Sequence, residues 1–494
     1  MGGTGRMLRN GVTLLAMALA LPACGGGGGS PGGTDTLLPT PTPSVTPTPT
    51  PTPANTSCAL RTRQDWVLRQ VNDWYLFPET LGYVNPAAFS TLSDYLDALT
   101  AGARSRGMDR YFSYVTSIAE ENAYYESGAT AGFGFRLHVD GAERRLWVSE
   151  AFEGGPALAA GLDRGTEILA LGSSPSTMRT VSLILESQGD YGLYIALGAD
   201  TPGLTRSFQI RNDSGTRTVT VTKTDYAIEP VSPRYGLRII EDEGRKIGYV
   251  NLRTFIFSAE DPLRTAFAEL KAQGVDELIV DLRYNGGGLL AVAQTLGSLM
   301  GAGRAPGDVF TRLRYRPEQG ADEAYPFLTE PSAIAPRRIA FIATGDTASA
   351  SELVINAFRP YLRADIALIG ANSYGKPVGQ IAIDRPECDD RLRLIAFAVD
   401  NAEGQGGYYQ GLASVMEQSC RADDDLTWPL GDRREASIAR AIDFLDRRTC
   451  TPIGPSAFAR TATVSTARVP LPAGRHSLVP ATPSQPQRDM PGLF

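Results

Sequence analysis

The sequence predicts a multidomain chain: an α/β core with parallel strands, preceded by a β-rich segment and a small helical domain. Three observations carry this. From about residue 240 onward, strand-length apolar runs alternate with runs whose apolar residues recur three and four apart. Between residues 126 and 225, short runs bounded by glycines dominate. Before them, Val67, Val71 and Trp74 share one helical face. The 494 residues leave room for about three domains of roughly 100–200 residues each.

The elements follow in order. Arg6 and Arg9 precede the apolar run 12–21, which is too short to span a bilayer and reads as a targeting segment over residues 1–24. The run ends in Leu21-Pro22-Ala23-Cys24. Small residues before a cysteine resemble a bacterial lipobox, which implies lipidation at Cys24 and a membrane anchor on an exported chain. Gly25 is not the aspartate associated with inner-membrane retention, which points toward the outer membrane. Residues 25–57 are glycine and Pro-Thr repeats that bury nothing and serve as a tether. Residues 58–125 are expected to be helical, with a second helix carrying Phe89, Leu92, Leu96 and Leu99, and with Pro78 and Pro86 as breakers.

Residues 126–225 open with Gly132-Phe133-Gly134-Phe135. Leu146 and Val148 alternate on a strand, "GGPALAAGL" is a short helix, and Val181, Ile184 and Leu185 mark another. Asn212 to Gly215 is the turn of a closing hairpin. The order of cues resembles a PDZ domain. That resemblance implies that the N–H groups of Gly132, Phe133, Gly134 and Phe135 receive a peptide's terminal carboxylate while the peptide adds as a strand.

In residues 226–451, "KIGYVNLRTF", "DELIVDL", "RRIAFIAT", "ADIALIG" and "LRLIAFAV" read as strands. Leu263, Phe267 and Leu270 mark one helix, and Leu289, Val292, Leu296 and Leu299 another. Residues 349–358 form a third helix, which Pro360 is expected to stop. Residues 452–494, rich in Pro, Ser, Thr and Ala, are expected to be a disordered tail.

The net charge of −7 and the absence of a basic cluster argue against a nucleic-acid partner. Four cysteines follow Cys24: Cys58, Cys388, Cys420 and Cys450. In an exported chain they suggest two disulfides with three possible pairings. Cys388–Cys420 and Cys58–Cys450 are the expected pairs. No Cys-x-x-Cys occurs and only two histidines exist, so no metal or cofactor is implied.

The chemistry centres on "GDTASASE", residues 345–352. Ser349 stands where a strand gives way to a helix, and the helix start favours negative charge. The N–H of Ala350 is one of the unpaired donors there. A serine nucleophile also needs a base. His138 falls in the β-rich segment and His476 in the tail, so a Ser-His pair is not expected. Lysine can serve when burial lowers its pKa; arginine cannot. There are four lysines, Lys223, Lys246, Lys271 and Lys376. Only Lys376, in "NSYGKPVGQ", follows a core strand and can return to the edge where Ser349 lies.

"TASASE", "YGKPVGQ" and the upstream "DLRYNGGG", behind a PDZ-like segment, resemble the carboxy-terminal processing (tail-specific) proteases over roughly residues 60–445. The resemblance implies a crotonase-like and ClpP-like α/β core and a Ser-Lys dyad of Ser349 and Lys376. It also implies that Gln380 orients the lysine and that the N–H groups of Gly287 and Ala350 form the oxyanion hole. The expected activity is that of a serine endopeptidase acting on protein or peptide substrates. Three departures stand out. The serine-to-lysine spacing is two residues longer than usual, which leaves Ser351 as the alternative nucleophile. Gly286 replaces a common proline, and Pro377 replaces a common glycine. Glu352 reads as solvent-facing or as a helix cap. Ser373-x-x-Lys376 also fits the Ser-x-x-Lys pattern of penicillin-interacting enzymes, but Pro377 does not suit a helix interior and their companion motifs are missing. A catalytically silent peptide-binding scaffold is the alternative function.

Overall fold

Six strands build the central sheet in the order Leu237–Asp242, Arg245–Asn251, Glu277–Asp281, Arg338–Ala343, Ile366–Gly370 and Ser419–Arg421. The first pair is antiparallel and every later pair is parallel. This is a computed structural model, and it describes residues 56–305, 307–454 and 475–494. Cys24, the expected signal segment and the tether through residue 55 lie outside the described residues.

The inner strands are apolar throughout because helices cover both faces. Leu278, Val280, Phe341 and Leu368 point to the face packed by Glu260–Ala272, Leu290–Leu299 and Ala350–Leu362. Ile279, Ala340, Ile342 and Ile369 point the other way, toward Ala436–Leu445. Side chains alternate along a strand, so one short run supplies both cores. Parallel strands also bring their carboxyl ends to a common edge. The loops after Asp281, Ala343 and Gly370 all leave from that edge.

The run "LRLIAFAV", expected in this sheet, belongs to a second one. There Asp390–Asp400 pairs antiparallel with Tyr114–Ser117, Val309–Tyr315 and Val378–Arg385. The antiparallel return from Val378–Arg385 turns it away from the parallel stack. The helices Leu60–Trp74 and Leu92–Leu99 form, the second without Phe89, which stays extended after the turn Pro86–Ala88. Their Val67, Val71, Tyr95 and Leu96 share a core with Val378, Leu392, Leu394 and Ile395, so this helical segment has no core of its own. The described residues belong to one compact unit.

The β-rich segment forms a third sheet, in the order Arg475–Ser477, Phe135–Asp140, Arg145–Ala151, Glu167–Gly172, Thr205–Asn212 and Gly215–Thr222. The helix Val181–Leu197 buries Val181, Ile184 and Leu185, and the hairpin closes at Asn212 and Gly215.

Three expectations are corrected. Residues 475–494 are not a loose tail: their first strand pairs with Phe135–Asp140, and Met490, Leu493 and Phe494 are buried. The disulfides are Cys58–Cys388 and Cys420–Cys450. The strand Ser419–Arg421 lies beside residue 451, with the Arg421 N–H donating to the Thr451 carbonyl, and this brings Cys450 rather than Cys388 to Cys420. Pro360 does not stop its helix, which runs Ala350–Leu362. The carbonyl of Asn356, four residues back, loses its helical donor to proline. It takes the side-chain amide of Asn401 instead, at 3.3 Å.

Candidate active site

The turn between the strand Arg338–Ala343 and the helix Ala350–Leu362 is sharp. Ser349 sits at its apex with φ 53° and ψ −114°, a conformation that L-residues rarely hold. Neighbouring loops hold it there. The N–H of Ala348 donates to the Asn285 carbonyl at 3.0 Å, and the Thr347 hydroxyl donates to the Leu282 carbonyl at 2.8 Å. The glycine run 286–288 presses on this turn. A Cβ at Gly287 would lie 2.8 Å from the Ser349 Cβ and 3.1 Å from the Ala350 nitrogen. Only glycine fits there, and Gly287 also holds φ 118°.

Ser351, the alternative nucleophile, is fully buried and its hydroxyl donates to the Asn285 carbonyl at 3.0 Å.

Lys376 is brought in from the other side. Its loop leaves Ile366–Gly370 and enters the strand Val378–Arg385 of the second sheet. Its Nζ donates to Gln380 Oε1 at 3.1 Å and lies 5.1 Å from the centre of the Phe112 ring. Gln380 is oriented in turn by donating to the Phe112 carbonyl. Burial lowers the lysine's pKa to about 8; Asp489 opposes the shift, and Arg488 and Arg393 assist it. No hydrogen bond joins the Lys376 amine to the Ser349 hydroxyl among the described residues.

Glu352 caps its helix as one of the two expectations had it, but it does not face solvent. It is fully buried. Its carboxylate accepts from the Ser349 N–H at 3.1 Å, the Ser373 hydroxyl at 2.6 Å, the Gly375 N–H at 2.7 Å and the Lys376 N–H at 2.8 Å. One carboxylate therefore ties the serine turn to the lysine loop. Burial raises its pKa against these four donors. Its position three residues into a helix looked like ordinary capping, and nothing local in the sequence marks the second loop it holds.

The two N–H groups expected to form an oxyanion hole differ. Ala350 is the first residue of its helix and has no intrahelical acceptor. The N–H of Gly287 instead donates to Asn285 Oδ1 at 2.9 Å. Asn285, inside "YNGGG", was not singled out by the sequence reading.

Of the four residues expected to bind a peptide terminus, Gly134 and Phe135 direct N–H groups to the carbonyl oxygen of Phe494, at 2.9 and 3.3 Å. Gly132 closes against the Phe494 carbonyl carbon, which a Cβ there would approach to 2.7 Å. Phe133 is a buried core residue stacked on Phe135. The histidines stand apart from the lysine. His476 pairs with Asp190 at 2.7 Å, and His138 Nε2 is 3.1 Å from the Ser477 hydroxyl.

The profile of Peptidase family S41 matches residues 246–406, which span the serine turn and the lysine loop. A carboxyl-terminal-processing protease of Picosynechococcus is 29% identical over 262 residues, covering 53% of this chain and 58% of the relative. A chloroplastic C-terminal processing peptidase of Tetradesmus obliquus is 28% identical over 268 residues, with 52% and 54% covered. The chain thus spans little more than half the length of these two relatives. A crystal structure assigned to the S41 proteases of Bacteroides fragilis superposes with a TM-score of 0.60 at 25% identity, covering 77% of this chain and 97% of the other.

Proposed function

We propose that the chain belongs to peptidase family S41, on the match over residues 246–406, and that it is a serine endopeptidase with Ser349 as nucleophile and Lys376 as general base. The observation that carries the assignment is the Glu352 carboxylate, which holds the backbone of both residues at once.

In this reading the neutral Lys376 amine takes the Ser349 hydroxyl proton as the oxygen attacks a peptide carbonyl. The N–H groups of Ala350 and Gly287 receive the developing oxyanion, once Gly287 has released Asn285. The tetrahedral species collapses to an acyl ester, and the Lys376 ammonium passes its proton to the departing amine. Water, deprotonated by the same lysine, then hydrolyses the ester and restores the serine. Gln380 aims the lysine and does not touch the substrate.

The segment 126–225 acts as a PDZ-like domain that takes a peptide by strand addition. The two N–H groups already holding the Phe494 carbonyl oxygen support this reading. Lipidation at Cys24 would anchor the enzyme to a bacterial membrane on the exported side. A second reading, a silent peptide-binding scaffold, is favoured by the Gly287 N–H being engaged and by the open Ser349–Lys376 contact.

A serine-directed fluorophosphonate separates the two. The protease reading expects labelling at Ser349, lost in Ser349→Ala and strongly slowed in Lys376→Ala. Labelling that is absent from the parent even after prolonged exposure, or is equal in all three proteins, favours the scaffold.

A further inference from the structure

Residues 475–494 run along one edge of the β-rich sheet twice. Arg475, His476 and Ser477 pair with Asp140, Val139 and His138, and the Leu478 N–H donates to the Leu137 carbonyl. The chain then leaves the edge and returns to it. The Leu137 N–H donates to the Gly492 carbonyl at 2.8 Å, Leu493 bridges Arg136, and the Phe494 N–H donates to the Phe135 carbonyl at 3.0 Å. The Phe494 side chain is buried in the cluster that holds Phe133, Phe135 and Leu185.

The excursion between these two pairings crosses the candidate active site. It contains the short helix Gln485–Asp489. The Gly286 N–H donates to the Asp489 carbonyl at 2.7 Å, one residue from the oxyanion glycine. A Cβ at Gly286 would meet the Arg488 carbonyl oxygen at 2.4 Å. A proline here would have both the Cβ and no N–H, so glycine at this position is what admits the segment. The Arg488 guanidinium lies 3.8 Å from the Tyr114 ring centre, and Gln485 donates to the Tyr125 hydroxyl at 2.8 Å. Asp489 is buried; Oδ1 receives Gln485 at 3.1 Å, and Oδ2 has no hydrogen-bond partner among the described residues. Its charge favours the protonated form of Lys376.

A helical turn cannot present an extended backbone to Ser349, so the segment lies across the site without being placed for cleavage. We propose that residues 475–494 are a built-in blocking strap, which fills the peptide groove along Phe135–Asp140 in cis and caps Gly286. An unstructured polypeptide whose last residue is aromatic or aliphatic would displace it. The proposal rests on the protease reading for its consequence, but its binding part stands apart from catalysis.

The test uses the full chain, the variant Leu493→Asp/Phe494→Asp and a fluorescent peptide of sequence QPQRDMPGLF. An occupied groove raises an apparent dissociation constant by the inverse of the fraction open, so the peptide should bind the variant at least about tenfold more tightly than the parent. Casein cleavage by the variant should rise by a similar factor, fall back when unlabelled peptide is added, and vanish when Ser349→Ala is introduced. A folded variant that binds the peptide no better than the parent overturns the strap. So does one that binds better yet cleaves at the parental rate while the parent is active. If both proteins are inactive but differ in peptide binding, the strap's occupancy stands and the protease reading falls. Should the variant not fold, hydrogen exchange on the unaltered chain decides. Saturating free peptide should deprotect the amides of residues 475–478 and 492–494, and unchanged protection overturns the proposal.

Discussion

Glu352 is the side chain on which the candidate site turns. It accepts four hydrogen bonds from two loops that are remote in sequence. Glu352→Gln keeps the shape but puts an amide where one oxygen accepted N–H or O–H donors, so the loops must part. Displacement by about 1 Å can cost about 10²-fold in rate, and a loss of that order in serine labelling is expected, with the fold retained by circular dichroism. Lys376 makes a prediction in pH. Only the neutral amine is a base, and burial brings its pKa to about 8. Labelling should therefore rise with pH through the neutral range and level off above about 8. A rise continuing to pH 10 or beyond would mean an unperturbed, solvated lysine. The charged groups acting on Lys376 are Asp489, Arg488, Asp109 and Arg393. Asp489→Asn removes the one that belongs to the strap and favours the ammonium, so the levelling point should move to lower pH.

Among elements, the helix Ala350–Leu362 shows how a local rule gives way to a tertiary contact. Proline in a helix removes a hydrogen bond and strands a carbonyl. Here Asn401 fills the vacancy at Asn356 and also donates to Gln405 Oε1 at 3.1 Å. Asn401→Ala should cost about 1–3 kcal/mol in unfolding free energy, the usual price of an orphaned buried polar group, measured by denaturant titration. No change would mean that the last helical turn was never held by this contact. The second sheet makes the same point on a larger scale. Its strand Asp390–Asp400 carries a buried apolar run that period alone cannot distinguish from a parallel core strand. The antiparallel pairing with Val378–Arg385 decides its sheet, and with it the direction from which Lys376 arrives.

Across the whole molecule, the Cys58–Cys388 bond joins the first helical segment to the second sheet across 330 residues of sequence. Linking such distant residues constrains the unfolded chain strongly, and the double variant Cys58→Ser/Cys388→Ser should lose about 2–5 kcal/mol of stability. Because Phe112, which lies beside Lys376, belongs to the core shared by that segment and sheet, serine labelling should weaken together with stability. Full labelling in a destabilised protein would show that the helical segment does not position Lys376.

The residue types of the candidate site, the alternation of strands and helices, and the β-rich segment could be read along the chain, because turn chemistry and periodicity act within a few residues. The glycine run, Ser349 and Lys376 were legible for that reason. Three-dimensional packing alone decided which cysteines meet, which sheet receives Asp390–Asp400, and that Glu352 faces inward to two loops. It also decided the fate of residues 475–494. A proline-rich stretch without a period has no local reason to be ordered; an open sheet edge, the N–H of Gly286 and side chains such as Tyr125 and Asp190, all assembled from distant parts of the chain, supply the hydrogen bonds that order it.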